Sequence, residues 1–348
     1  MIRTKASLCS GTGALDAAVP GELTWYAEIN PDAARIMKRE HPEAPNLGDI
    51  THLIEPGREW AIRHTHKAVD LLTSGDPCQA MSTAGRQLAS DDSRFLWPDV
   101  LRIIKAVRPR HLFLENVQNL QSVALVKGGE KGGVLRLRLE TLREAGYAVK
   151  WTVLGACAMG APHHRHRWFL RARYVGENAP EAIKIENKCG APRNGGRVLL
   201  PTPTALSYGN NRGGAAGRVG PVRHSLESMA RMALLPSPTT ADGKGGPGRS
   251  DKRTGGDNLR TAVTFLPAHW GKFTAAVALW EEITGRPAPA PTVPAPNGGR
   301  RLNPELSEWM MGYPLGYVTG ELERSAALKA IGNGVVTLQA ATAWGQLA

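Results

Sequence analysis

The segment Ala68-Val69-Asp70-Leu71-Leu72-Thr73-Ser74-Gly75-Asp76-Pro77-Cys78-Gln79-Ala80-Met81-Ser82 sets the reading of the whole chain. Its first half is a short apolar run of strand length. Its second half opens on Gly75 and Pro77, residues that end strands and stiffen turns. A strand that stops in a rigid turn presents the Cys78 thiol at the mouth of an α/β sheet, where a nucleophile is useful. A lone cysteine is more often a small buried hydrophobe, so the meaning of Cys78 depends on the rest of the chain.

Working outward, strand-like and helix-like segments alternate over the first 175 residues. Lys5 to Cys9 reads as a strand, and the Gly-rich turn Ser10-Gly11-Thr12-Gly13 leads into a helix from Ala14. Leu23 to Glu28 reads as a second strand, followed by a helix from Pro31 to Glu40 with proline at its first turn. Val69 to Thr73 and His111 to Glu115 are further strands, with helices over Pro98–Val107 and Val134–Ala145. Tyr147–Leu154 and Arg167–Arg173 form a late strand pair. This alternation predicts an α/β fold with a doubly wound, mostly parallel sheet.

The texture changes from about Val175. Residues 187–257 are rich in Gly, Pro, Asn and Arg. Leu199-Leu200-Pro201-Thr202-Pro203-Thr204-Ala205 is echoed by Leu234-Leu235-Pro236-Ser237-Pro238-Thr239-Thr240-Ala241, two copies being too few for a solenoid. Arg286 to Asn297 is expected as an extended Pro/Ala linker. Helical texture returns in Thr274–Ile283, Glu305–Met311, Ala326–Ala330 and Val335–Leu347.

Composition narrows the classes. The 348-residue chain is 42% hydrophobic and has no apolar run near the roughly 20 residues that span a membrane. Met1-Ile2-Arg3-Thr4-Lys5 leads into a strand without a secretion signal, and Cys9, Cys78, Cys157 and Cys189 lack paired or zinc-type spacing. Reduced thiols in a cytoplasmic protein are therefore expected. The net charge of +12 points to a polyanionic partner. Between Asn187 and Arg260, twelve Lys and Arg face four Asp and Glu, so two thirds of the excess lies in about a fifth of the chain. A Gly-rich segment so charged favours nucleic acid over an ordinary solvated face.

Five sites bear on Cys78. The turn Ser10–Gly13 lets backbone amides approach a nucleotide-like ligand at a helix start. Glu28, after the second strand, stands where an acid grips ribose hydroxyls. Asp49, in Gly48-Asp49-Ile50, is placed to accept from an adenine amino group. Glu115 ends the apolar strand Leu112-Phe113-Leu114, and desolvation there raises a carboxyl pKa, making it a candidate proton donor. Finally, His163-His164-Arg165-His166-Arg167 clusters cations beside a strand. The interleaved arginines argue against a metal and for an anion- or carbonyl-facing arginine pair.

In order and spacing these residues resemble the cytosine-C5 DNA methyltransferases of bacteria and phages. The resemblance rests on Ser10–Gly13, Pro77-Cys78-Gln79 with Ser82, Glu115-Asn116-Val117 and Arg165-His166-Arg167. The late segment adds Arg301-Leu302-Asn303-Pro304 through Pro314, then Gly332-Asn333-Gly334-Val335. It covers the chain apart from residues 180–295.

It implies a fold of the S-adenosylmethionine-dependent methyltransferase type. A catalytic domain over 1–178 is completed by 300–348, and a smaller irregular domain over 179–299 reads DNA. It implies Cys78 as the nucleophile on cytosine C6, Glu115 at N3 and Arg165 near O2, acting on a base flipped out of the duplex. The implied cofactor, S-adenosylmethionine, falls to Ser10, Gly11, Gly13, Glu28, Asp49, Ile50, Pro77, Leu96 and Asn333. DNA contacts fall to Gln79, Ser82, Arg86 and Arg167. No metal is implied. Cys9 stands where the family usually has an aromatic residue, Asp76 where an aromatic or apolar one is common, and His163 where glutamine is frequent. The implied partner is double-stranded DNA, bound by a monomer in a bacterial or phage-infected cytoplasm, with a restriction endonuclease as cognate enzyme. Two alternatives stay open: a transfer-RNA cytosine-C5 methyltransferase, against which the long basic insert argues, and a non-catalytic DNA-binding relative.

Overall fold

The computed structural model describes residues 1–53, 69–77, 95–125, 129–186, 234–243, 258–264, 268–296 and 298–348. Seven strands form one sheet: β1 (Thr4–Leu8), β2 (Glu22–Ala27), β3 (Leu71–Ser74), β4 (His111–Val117), β5 (Tyr147–Gly155), β6 (His166–Tyr174) and β7 (Ile183–Lys184), in the order β2-β1-β3-β4-β6-β5-β7. β1 pairs in parallel with β2 and β3, and β3 with β4. The expected late pair is a long antiparallel ladder of β5 and β6, with β6 also antiparallel to β4. Crossovers between β1, β2, β3 and β4 put helices on the sheet faces, which suits their near-continuous apolar sequences.

Alternation along each strand splits the core in two. Leu71, Phe113, Leu154 and Phe169 point to one face; Leu72, Leu112, Leu114, Trp168 and Leu170 point to the other. The second face is covered by α3 (Trp97–Val107) and α4 (Gly133–Glu144), which follow α1 (Ala14–Ala17) and α2 (Pro31–Glu40). α2 starts where predicted because Asn30 caps it, its Oδ1 accepting from Asp32 N and Ala33 N, with Pro31 in the first turn.

The first face is covered by the late chain. Short α5 (Leu259–Thr264) is followed by α6 (Thr274–Thr284), a hairpin of β8 (Thr292–Pro294) and β9 (Arg300–Leu302), then α7 (Pro304–Met310), α8 (Arg324–Asn333) and α9 (Thr337–Gln346). Trp344 of α9 meets Phe113 edge-on with ring centroids 5.3 Å apart, and the Arg171 guanidinium lies 3.7 Å from the Trp344 ring centroid.

Two expectations are changed. The Pro/Ala segment 286–297 does not run as a free linker, because β8 pairs with β9 and Arg286 Nη2 donates to Tyr313 O at 2.6 Å. The described parts of 179–299 also pack into the main core: Leu235, Leu259, Val263, Phe273, Val277 and Trp280 share a buried cluster with Phe113 and Phe169. Residues 187–233 and 244–257, with nearly all of the basic excess, lie outside the described residues. Among the described residues no helix is long and apolar enough to cross a membrane.

Phe113 is fully buried between the sheet and α9, stacked on Phe169 at 5.8 Å. Phe113→Ala is expected to cost about 3–5 kcal/mol of stability, measured by urea denaturation followed by tryptophan fluorescence.

Candidate active site

The carboxyl ends of β1, β2, β3 and β4 open on one edge of the sheet, where open α/β sheets bind ligands. The Gly-rich turn follows β1. Its backbone is left-handed at Cys9 (φ 49°), Gly11 (φ 54°) and Gly13 (φ 78°). Gly13 N donates to Ser10 O at 2.9 Å and closes the turn. A Cβ on Gly13 would sit 2.6 Å from Met37 S, so this position needs glycine for space; a Cβ on Gly11 would meet none of the described residues within 4 Å. The turn is therefore packed behind Gly13 and open in front of Gly11. Ser10 Oγ is buried beside it without a partner among the described residues.

Glu28 shapes this turn from β2. Its Oε2 accepts from Gly11 N and its Oε1 from Asn30 N, both at 2.7 Å. Burial pushes its carboxyl above the usual range, against the pull of these backbone bonds. Asn46 braces it, donating to Glu28 O and accepting from Glu28 N, each at 3.0 Å. Asp49 Oδ1 accepts from Thr51 N at 2.9 Å and caps the short turn that starts at Ile50, itself buried against the sheet. The Cys9 thiol is pushed well up by burial and by Asp76, Glu28 and Asp49, so this corner is acidic in a chain of net charge +12.

β3 ends in Gly75, Asp76 and Pro77. Asp76 is buried, and its carboxylate is turned into a two-pronged ion pair with Arg138 of α4, at 3.0 and 2.5 Å. Asn116 Nδ2 donates to Asp76 O at 3.1 Å, tying the ends of β3 and β4 together. Half-buried Leu96 precedes α3 and packs against the core on that face.

Glu115 stands beside this strand end: a Cβ on Gly75 would lie 3.8 Å from Glu115 Oε2 and 3.5 Å from Cys9 O. Arg167 lies opposite Val117 in the β4–β6 ladder, a diagonal neighbour of Glu115. Its Nε lies 2.8 Å from Glu115 Oε1, with both side chains still partly exposed. Burial raises the Glu115 carboxyl pKa, opposed first by Arg167 and then by Arg165.

Arg165, two residues earlier, is used differently. Its Nη1 donates to Pro238 O and its Nη2 to Gly332 O, both at 3.0 Å, and Nη2 also reaches Gly334 O. Burial and the neighbouring Arg167 pull its pKa down to about 9. Its backbone is left-handed (φ 26°), a strain held in place by these contacts. The two Gly carbonyls flank Asn333, which is exposed, so Arg165 fixes the turn that carries it. His163 is buried, with burial and Arg165 pulling its pKa down to about 3. The neutral ring donates from Nε2 to Met310 O at 3.0 Å, leaving Nδ1, 3.4 Å from Ser237 Oγ, as an acceptor.

The structure thus brings together Ser10, Gly11, Gly13, Glu28, Asp49, Ile50, Pro77, Glu115 and Arg167 at the carboxyl ends of the strands. Asn333 belongs to the turn that Arg165 holds, and that arginine's guanidinium faces main-chain carbonyls. Cys78, Gln79, Ser82 and Arg86 lie outside the described residues. Sequence reasoning missed Arg138, Tyr313 and Tyr317. Tyr317 Oη donates to Thr12 O at 2.7 Å and Tyr313 Oη accepts from Thr12 Oγ1 at 3.4 Å, anchoring the late chain to the Gly-rich turn, while Tyr313 Oη also donates to Val335 O at 3.0 Å.

Solved structures share this fold. A Spodoptera frugiperda DNMT2 variant superposes over 99% of both chains with a TM-score of 0.57 at 18% identity, and Schizosaccharomyces pombe Dnmt2 over 99% and 98% with 0.57 at 16%. Residues 4–195, more than half of the chain, match the model of the C-5 cytosine-specific DNA methylases, and the chain belongs to that family. The type II methyltransferase M.NgoBV of Neisseria gonorrhoeae is 39% identical over 155 residues, 44% of this chain and 35% of the relative. M.NlaIV of Neisseria lactamica is 40% identical over 155 residues with the same coverage. The chain spans about a third of the length of these relatives.

Arg165→Met would leave buried carbonyls of three residues without their charged donor and is expected to cost about 3 kcal/mol or more of stability. Arg167→Met, which removes a partly exposed ion pair, is expected to cost under about 1 kcal/mol. Urea denaturation of the two variants side by side measures the difference.

Proposed function

We propose that the protein transfers a methyl group from S-adenosylmethionine to C5 of cytosine in DNA. The observation that carries this is the convergence of the Gly-rich turn, the strand end leading into Cys78 and the Glu115–Arg167 pair on one edge of the sheet, in a chain of the C-5 cytosine-specific DNA methylase family.

The residues present fit the cofactor. The orphaned Ser10 Oγ and the open space before Gly11 leave room for a ligand at the start of α1. Glu28 and Asp49 supply a negative potential that favours a sulfonium cation. When bound, S-adenosylmethionine supplies an electrophilic methyl carbon. Ser10, Gly11, Gly13, Glu28, Asp49, Ile50, Pro77, Leu96 and Asn333 hold it in this reading.

Cytosine C5 is a poor nucleophile until a group adds to C6. Cys78, as thiolate, adds there and forms a carbon–sulfur bond. Glu115 holds a proton at N3 as electron density moves into the ring; burial has already raised its pKa toward that task. Arg165 was expected at O2, but its guanidinium is committed to Pro238, Gly332 and Gly334. We therefore assign the base-facing role to Arg167, which is partly exposed and paired with Glu115, and give Arg165 the placement of the Asn333 turn. After methyl transfer, loss of the C5 proton expels Cys78 and restores the aromatic ring.

Duplex DNA is the proposed substrate, entering beside Gln79, Ser82 and Arg86, with the basic segment 187–257 reading it through phosphate and base contacts. A monomer in a bacterial or phage-infected cytoplasm, with a cognate restriction endonuclease, completes the reading.

Methyl transfer from labelled S-adenosylmethionine, assayed on duplex DNA and transfer RNA in parallel and mapped by bisulfite sequencing, tests it. Label is expected in DNA, at C5 of cytosine, and absent from transfer RNA. Cys78→Ala is expected to abolish transfer and Glu115→Gln to slow it by about 10²–10⁴-fold. Transfer that survives Cys78→Ala would overturn the nucleophile assignment.

Glu115 also gives a stability signature. Its pKa is raised on folding, so the stability from its neutral form is complete below the unfolded value and lost as pH rises through the folded one. Glu115→Gln, which stays neutral, should therefore gain stability relative to the natural chain between pH 5 and pH 8, read from urea midpoints at both pH values.

A further inference from the structure

α4 buries Val134, Leu135, Arg138 and Leu142 on one face, placing a fully buried arginine inside an apolar stripe. The Arg138 guanidinium holds Asp76 by both oxygens, Nη1 to Oδ1 at 3.0 Å and Nη2 to Oδ2 at 2.5 Å. It also lies over the Trp97 ring, 4.6 Å from the centroid. Asp76 stands two residues before Cys78, and Trp97 begins α3 three residues after position 94. One guanidinium therefore grips the chain on both sides of the segment that contains Cys78.

Stability alone does not explain this arrangement. A buried ion pair is often matched or exceeded in stability by well-packed apolar residues of similar size. Its location is the informative feature. Two peptide units keep the Cα atoms of Asp76 and Cys78 within about 7 Å of each other whatever the conformation. A carboxylate borne two residues from a thiol, without a counter-charge, opposes thiolate formation. Among the described residues, the other titratable groups near Asp76 are Glu115 of β4, whose charge is met by Arg167 with Arg165 beyond it, and Cys9 at the end of β1, a thiol that Asp76 itself pushes up; none of them pairs with the Asp76 carboxylate. α4 brings Arg138, and α3 brings the Trp97 ring, whose Nε1 donates to Thr141 Oγ1 at 3.2 Å. Asn116 holds the Asp76 carbonyl at 3.1 Å.

We propose that Arg138 is a positioning residue for Cys78: by pairing with Asp76 it cancels the charge nearest the thiol along the chain and fixes the strand end that delivers it. This rests on the reading of Cys78 as nucleophile, and its test has a readout independent of that reading. The full-length protein and the variants Arg138→Gln, Asp76→Asn and Asp76→Asn/Arg138→Gln are alkylated with iodoacetamide from pH 6 to pH 10. The rate at Cys78 is followed by peptide mass spectrometry, and methyl transfer to duplex DNA is assayed on the same samples.

Arg138→Gln, with Asp76 left unbalanced, is expected to raise the midpoint pH of Cys78 alkylation by about one pH unit or more. Asp76→Asn, with Arg138 left unbalanced, is expected to lower it, and the double variant to return it close to the natural value. If Arg138→Gln fails to fold by circular dichroism, the downward shift in Asp76→Asn decides. Unchanged midpoints in the folded single variants would overturn the proposal and leave Arg138 a structural brace, whatever happens to melting temperature or overall rate. Shifted midpoints in a protein that methylates no DNA would sustain the Arg138 assignment and sink the functional reading instead.

Discussion

Closure of the sheet domain depends on the buried guanidinium of Arg165. The C-terminal region has to dock on a sheet built from residues more than a hundred positions earlier, and the closing contacts must hold polar main chain away from water. Arg165 supplies charged donors for carbonyls of Pro238, Gly332 and Gly334, the last two of which end α8. Gln339 of α9 reinforces the joint, its Nε2 donating to Leu154 O at 2.8 Å and Arg165 O at 2.9 Å. Tyr313 and Tyr317 carry the same connection to Thr12, so the Gly-rich turn is held from behind by the late chain. Losing this joint would disturb both the Asn333 turn, which Arg165 holds, and the Gly-rich turn, which Tyr313 and Tyr317 hold through Thr12.

Arg165 and Arg167 separate by position, not by type. Arg167 lies inside β6, where the ladder with β4 puts it diagonally across from Glu115. Arg165 precedes the strand, with a left-handed backbone that sends its guanidinium toward the late segments. From sequence the two arginines are equivalent, and only strand register and three distant carbonyls distinguish them. The fold was more legible. The prolines at 31, 98 and 304 fall in the first turns of α2, α3 and α7, and short apolar runs located β4 and β6 within a residue or two. The short β8–β9 pairing was not legible, because a Pro/Ala-rich segment carries no periodic signal and its partner lies across a turn.

Asp76 shows the limit of reading charges along a chain. By sequence it is an acid beside a thiol, a combination that disfavours ionisation. In space its carboxylate faces the interior and meets Arg138, while its carbonyl is held by Asn116. A signal for this existed. Leu135, Arg138 and Leu142 recur at the spacing of one helical face, so Arg138 interrupts an apolar stripe. A charge within a core face needs a buried partner, and an acid at the end of the adjacent strand is the natural one. The separation of 62 positions hid the pairing, since nothing local links position 76 to position 138.

The two buried guanidinium sites divide the electrostatics of this edge. Arg138 meets a full opposite charge, so the pair adds little net field at the strand ends. Among the described residues Arg165 meets carbonyl dipoles, and its charge bears on Glu115 along with that of Arg167. Burial nevertheless dominates, and Glu115 retains a raised pKa beside two arginines. A carboxyl so placed keeps its proton to higher pH than a solvated one, yet has an arginine at 2.8 Å ready to stabilise the anion once the proton leaves. That combination suits the proton-handling role proposed for Glu115, and it follows from strand register and burial.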